Sequence, residues 1–182
     1  MRRLKRMGLM TLVGGTLLVV LTYGTALAET IRCVNVGDEL GGVCYGTDED
    51  DNVYGTSQED FIRAFDGSDY VMGYDDDDTI YGGDGDDNRR NDGGLFGGDD
   101  DDDIYGGEGD DDMYGGSGAD ELRDAQARRD VDRAFGQGGN DFIDVADGDR
   151  SDLVNCGTGD RDRAIYDRGD EVKDNCERAR RQ

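Results

Sequence analysis

Gly106 to Arg123 reads G-G-E-G-D-D-D-M-Y followed by G-G-S-G-A-D-E-L-R. Both halves fit one nine-residue template, Gly-Gly-x-Gly-x-Asp-x-apolar-x. Anchored on its sixth position and stepped by nine, the template finds Asp78, Asp69, Asp60 and Asp51 behind Asp87, and Asp111 and Asp120 beyond Asp102. Aspartate is abundant here, so these matches alone carry little weight. The eighth position is the stronger signal. Val53, Ile62, Val71, Ile80, Ile104, Met113 and Leu122 all fall there, in an acidic stretch with few other aliphatic residues. A unit this short cannot bury its apolar residue alone, so the repeats must stack.

Arg89, two residues after Asp87, breaks the apolar row. Ile80 and Ile104 are 24 residues apart, which is two repeats plus six. Leu95, nine before Ile104, can therefore take the vacant core position. The extra residues form a bulge at Asn88–Gly94 that carries Arg89 and Arg90 into solvent and interrupts the stack after Asp87. Downstream, Asp132 with Ala134 marks a degenerate repeat over Ala127–Phe135, behind a three-residue insertion. Gly136–Asp144 restores the pattern with Asp141 and Ile143, and Asp152 with Val154 continues it.

The chain has 182 residues, of which 45 are acidic and 20 basic, with no His, Trp or Pro. A net charge of −25 with so few aliphatics ordinarily describes a disordered acidic polymer. Phased glycine, aspartate and apolar residues argue against that reading, because random acidic tails are not phased. Residues 1–28 have the form of a signal peptide: basic Arg2, Arg3, Lys5 and Arg6, an apolar run from Met7 to Tyr23, and Ala26-Leu27-Ala28 before Glu29. Its removal would take the net charge to −29 and leave no stable membrane insertion. An uncleaved anchor is the competing reading of the same segment.

The rest divides into an N-terminal cap at 29–45, a main repeat array at 46–123, degenerate repeats at 124–155, and a C-terminal cap with a charged tail at 156–182. Cys33 and Cys44 lie in the first cap, Cys156 and Cys176 in the second. Four cysteines behind an export signal point to disulfides, with three possible connectivities. The local pairs Cys33–Cys44 and Cys156–Cys176 are favoured, because an extended solenoid holds its ends apart. Zinc is disfavoured, since the 11- and 20-residue spacings contain no close cysteine pair.

Side chains alternate along a strand, so position eight faces inward while seven and nine face out. Tyr54, Tyr81, Tyr105 and Tyr114 then lie on the outer surface. Glycines at positions one, two and four allow positive φ and bring backbone close to an ion. Aspartate carboxylates with backbone carbonyls supply the all-oxygen shell that Ca²⁺ prefers, whereas Mg²⁺ demands a tighter octahedron. One apolar residue in nine is a thin core. Ion binding to the folded state alone would supply stabilisation, coupling folding to binding.

From Gly46 to about Asn155 the chain resembles the RTX, or haemolysin-type, calcium-binding repeat family. The resemblance implies an all-β fold, a right-handed parallel β-roll with two nonapeptides per turn and several Ca²⁺ ions between loops stacked 18 residues apart. It pairs Asp60 with Asp78, Asp69 with Asp87, and Asp102 with Asp120. Metal-ligating residues are then Asp51, Asp60, Asp69, Asp78, Asp87, Asp102, Asp111, Asp120, Asp141 and Asp152. The loop glycines Gly82, Gly83, Gly85, Gly97, Gly98, Gly106, Gly107, Gly109, Gly115, Gly116 and Gly118 bring in the carbonyls. Glu49, Gln58, Asp76 and Asp100 replace the glycine of position four, which predicts weaker binding in those loops. The strongest site is expected at Asp102 and Asp120.

The expected function is that of a secreted calcium-binding repeat protein, with a structural or interaction role outside the cell. The protein or polysaccharide it meets there is not specified by the sequence. An enzyme, carbohydrate-active or an accessory module, is the competing class; an array this long leaves no separate catalytic domain. A histidine-dependent nucleophile is excluded by composition, and nucleic acid would be repelled by the acidic surface.

Overall fold

The computed structural model describes residues 28–33, 41–88, 93–124, 130–148 and 151–182. Sixteen short strands follow one another. The first eight are β1 (Glu29–Arg32), β2 (Val43–Tyr45), β3 (Asp51–Tyr54), β4 (Phe61–Asp66), β5 (Tyr70–Tyr74), β6 (Thr79–Asp84), β7 (Gly94–Asp99) and β8 (Asp103–Glu108). The rest are β9 (Asp112–Ser117), β10 (Glu121–Arg123), β11 (Arg133–Gly138), β12 (Phe142–Asp144), β13 (Leu153–Asn155), β14 (Arg163–Tyr166), β15 (Glu171–Val172) and β16 (Arg178–Arg181). Odd-numbered strands form one eight-stranded sheet and even-numbered strands the other. All pairings are parallel. The chain therefore crosses from sheet to sheet at every loop, and two strands complete a turn of a β-solenoid.

The residues between the sheets are the predicted eighth positions. Val53, Ile62, Val71, Ile80, Leu95, Ile104, Met113, Leu122, Ala134, Ile143 and Val154 are all fully buried. They stack like on like along the axis: Ile62 on Ile80, Ile80 on Ile104, Ile104 on Leu122, Leu122 on Ile143. Leu95 fills the place that Arg89 could not, pairing with Val71 and Met113. Arg89 and Arg90 lie outside the described residues, as does the expected leader segment up to residue 27.

The longer spacings leave the register of the flanking strands intact. Adjacent core residues are separated by 24 residues across the bulge and by 21 between Met113 and Ala134, yet each pair stays aligned. The expected break after Asp87 does not occur. The amide of Asp78 donates to Asp102 Oδ1 at 2.9 Å and that of Asp87 to Asp111 Oδ1 at 2.9 Å, so the stack runs through. The ladders also continue beyond Asn155, where β12 pairs with β14 and β14 with β16.

Both local disulfides are present, Cys33–Cys44 and Cys156–Cys176, with Cα separations of 5.3 and 5.2 Å. Each joins a segment next to one sheet with a segment of the other, the first at the β1–β2 end and the second beside β13 and β16. On the outer surface the aromatic residues form ladders. Phe96, Tyr114 and Phe135 stack at 4.6 and 4.9 Å along one face, and Tyr81 stacks on Tyr105 at 4.7 Å on the other. No helix among the described residues is long and apolar enough to cross a membrane.

The core is one residue thick, so each member has no second layer to compensate its loss. Ile104→Ala is expected to destabilise the folded chain by about 2–5 kcal/mol, read as a shifted midpoint in urea denaturation. A shift under about 1 kcal/mol would mean that the eighth-position row is not the core.

Candidate metal centre

Each loop ends on the sixth-position aspartate, immediately before or at the start of a strand except at Asp87, after which β7 begins at Gly94. Asp51, Asp60, Asp69, Asp78, Asp87, Asp102, Asp111, Asp120, Asp141 and Asp152 are all buried, none more than 2% exposed. They fall into two rows, one beside each sheet. In the first row the backbone N–H of Asp51 donates to Asp69 Oδ1, Asp69 to Asp87 and Asp87 to Asp111, at 2.7, 2.7 and 2.9 Å. The row goes on through Asp132 to Asp152, at 2.9 and 3.0 Å. In the second row Asp60 donates to Asp78, Asp78 to Asp102 and Asp102 to Asp120, at 2.7, 2.9 and 3.0 Å. Asp120 then donates to Asp141 and Asp141 to Asp162, at 3.1 and 2.9 Å. The expected pairs Asp60–Asp78, Asp69–Asp87 and Asp102–Asp120 are brought together.

Along both rows after Asp51 one carboxylate oxygen accepts a backbone N–H, and in seven of these residues the other is left over. The Oδ2 atoms of Asp78, Asp102, Asp111, Asp120, Asp132, Asp141 and Asp162 are buried without a hydrogen-bond partner. A buried carboxylate oxygen with nothing to bond carries a desolvation penalty of about 1–3 kcal/mol or more, because charge is at stake. Burial accordingly pushes Asp102 up to about 8 and Asp111 up to about 9, with neighbouring carboxylates adding to it. Asp78 and Asp120 rise to about 7 for the same first cause. A divalent cation would reverse this preference and hold the groups ionised.

The glycines serve two different purposes. At positions two and four the backbone is left-handed: Gly98 has φ +142° and Gly118 φ +152°. Position one is different from the sequence expectation, because Gly82, Gly97, Gly106 and Gly115 do not have positive φ. They are required for space. A methyl on Gly97 would overlap the Asp102 carboxylate and sit 2.7 Å from the Gly115 carbonyl oxygen. A methyl on Gly82 would overlap Asp87 and sit 2.6 Å from the Gly106 carbonyl. Carboxylate and carbonyl oxygens converge on the bare Cα. The donor set is all oxygen, there is no histidine, and no cysteine is free. That chemistry fits a hard cation such as Ca²⁺.

The loops are not equal. Asp76 and Asp100 adopt φ +74° and +76° where glycine is usual, so these loops keep the glycine shape at the expense of backbone strain. Ala64 already carries a methyl at position one. In the two N-terminal loops threonine occupies position two. The Thr47 N–H and Oγ1 both donate to Asp51 Oδ2, at 2.7 and 3.0 Å. The Thr56 N–H donates to Asp60 Oδ2 at 2.5 Å, and Gly42 N–H to Asp60 Oδ1. Asp51 and Asp60 thus have Oδ2 engaged by a threonine; Asp60 is engaged on both oxygens, whereas Asp51 Oδ1 stays buried without a partner.

Five buried aspartates among the described residues stand outside the expected set, Asp112, Asp124, Asp130, Asp132 and Asp162, and three of them bear on the rows. Asp132 continues the first row and was marked by Ala134 two residues on, behind a three-residue insertion. Asp162 continues the second row, and its signal is Ala164, buried at the next core position. Asp124 occupies position one, where the template has glycine, and no template match could have found it.

Two outcomes follow from this geometry. Gly97→Ala is expected to abolish ordered folding around Asp102, read as lost protection of the Asp102 and Asp103 amides; unchanged protection would show that position one has room. The second concerns pH in chelator. Carboxyls raised in the folded state contribute stability that is fully present below the unfolded value of 3.8 and lost as pH climbs through about 7–9. The metal-free chain is therefore expected to show more β structure by circular dichroism at about pH 5 than at about pH 8. Equal spectra would contradict the buried-carboxylate picture.

The profile of the RTX calcium-binding nonapeptide repeat matches the chain in four copies, over residues 45–79, 63–88, 95–122 and 126–151. No curated protein matches the chain, and no solved structure does. The matched residues make up more than half of the sequence and coincide with the stacked loops and both aspartate rows. The chain belongs to the RTX calcium-binding nonapeptide repeat family.

Proposed function

We propose that this is a secreted protein whose roll forms on binding several Ca²⁺ ions, and that its role outside the cell is structural or interactive rather than catalytic. The observation that carries the reading is the row of buried, unpartnered Oδ2 atoms, repeated turn after turn beside glycines that leave room for an ion. Export is supported by the leader-like segment before Glu29 and by the two disulfides, which persist in oxidising surroundings. The division into leader, two disulfide-bearing caps and an intervening array follows the same logic. A non-catalytic role is supported by where the carboxylates lie: inside the solenoid and bonded to backbone.

The metal ligands in this reading are the position-six aspartates with their loop carbonyls, ranked by what already occupies each carboxylate. Among the template loops Asp102, Asp111 and Asp120 have glycine at position one and an unpartnered oxygen, so they bind best of those loops. Asp51 and Asp60 have the Oδ2 that faces the loop taken by Thr47 and Thr56, so they contribute little even though Asp51 Oδ1 is unpartnered. A calcium titration followed by far-UV circular dichroism tests the reading. The chain is expected to be largely unfolded in chelator and to gain β structure in millimolar Ca²⁺, with Mg²⁺ a poor substitute. A spectrum that ignores calcium would overturn it. In the same titration Asp120→Asn should raise the calcium midpoint clearly, while Asp51→Asn should leave it nearly unchanged. Equal shifts would refute the ranking.

A further inference from the structure

We propose that Asp124, together with Asp111 and Asp132, forms a three-carboxylate cation site inside the roll that the nonapeptide template does not contain. The proposal rests on the reading that the repeats bind calcium. Position one points inward, and the described repeats fill it with glycine or with uncharged residues such as Ala64, Val145 and Cys156. Among the buried, described position-one residues Asp124 alone carries a charge. Its backbone follows β10, whose Arg123 pairs with Tyr105 of β8, so Asp124 stacks directly on Gly106. The Asp124 N–H is fixed by the Asp144 carbonyl at 2.8 Å.

Gly106 has no side chain, and two carboxylates use the space. Asp124 Oδ2 and Asp111 Oδ2 each lie 2.7 Å from the point a Cβ on Gly106 would occupy. Asp132 approaches from the next turn, with its Oδ1 already accepting the Asp111 N–H at 2.9 Å and its Oδ2 unpartnered. One oxygen from each of the three residues lies within 4.8 Å of the other two. Ca²⁺–oxygen bonds of about 2.3–2.6 Å let donors on opposite sides of one ion stand about 5 Å apart, so a single ion can touch all three.

Asp124 itself supplies the independent sign of a ligand. It is 2% exposed, neither of its oxygens meets an N–H or hydroxyl donor, and its side-chain contact is with the carboxyl of Asp132. The ordinary repeat aspartate satisfies one oxygen with backbone; this one satisfies none. The charges acting most strongly on it are the carboxylates of Asp132, Asp111 and Asp130. A third carboxylate raises the negative charge around the ion, and calcium affinity rises with ligand charge. This site is therefore the tightest in the molecule and the first to fill.

The test is a calcium titration of the full chain against a chromophoric chelator, which reads number and affinity of bound ions, with wild type, Asp124→Asn and Asp124→Gly compared. Asn keeps the shape without the charge, and Gly restores the template residue and removes the buried acid. Both variants are expected to fold in saturating calcium, by circular dichroism. Both are expected to lose the tightest ion or bind it at least about tenfold more weakly. Variants that match wild type in number and affinity of ions would overturn the proposal and identify Asp124 as a buried protonated acid. A wild-type chain that binds no calcium would overturn both the proposal and the calcium reading beneath it.

Discussion

Every turn of this solenoid is tied to the next by an aspartate whose backbone N–H donates to the carboxylate of the aspartate stacked on it. That bond sets the axial register, and it also forces a carboxylate into the interior, where half of it finds nothing to bond. The remaining features follow from that half-satisfied group. Glycine stands at position one because the free oxygen needs its space. Left-handed backbone at positions two and four folds the loop so that carbonyls of adjacent turns come close. The apolar row lines up between the sheets, one residue from each repeat.

The sequence made the architecture readable because it repeats with one period and places one apolar residue in each unit. Ile80, Ile104 and Leu122 could be located as core before any coordinates, and the Arg89 exception resolved to Leu95 by counting. The same counting placed Asp102 over Asp120. Both disulfide pairs were legible too, because an extended solenoid separates its ends. What counting could not show was the consequence of a substitution in three dimensions. Thr47 and Thr56 look like minor departures from glycine, yet their donors take the carboxylate oxygens an ion would need. Asp124 looks like one more acid in an acidic chain, yet the register buries it over Gly106. The continuity of the stack across residues 88–93 was hidden as well, since nothing in a sequence says that an insertion will loop out rather than break the ladder.

The two ends of the roll differ from its middle in how they are held. Near the start, the first two aspartates are closed by threonine and a disulfide joins β1 to β2 across the layers. Near the other end, Cys156 is buried and bridged to Cys176, and the last row position is closed by Glu177, which accepts the Asp162 N–H at 2.9 Å. Covalent and hydrogen-bonded ends protect the open sheet edges and confine the charge problem to the interior turns.

The most direct measurement of a metal-held roll is residue-resolved amide hydrogen exchange in calcium and after chelation. The amides of Asp78, Asp102, Asp120 and Asp141 donate along one row and report on it turn by turn. They are expected to be strongly protected with calcium and to exchange like an unfolded chain without it. Equal protection in both conditions would contradict the dependence of the fold on the ion.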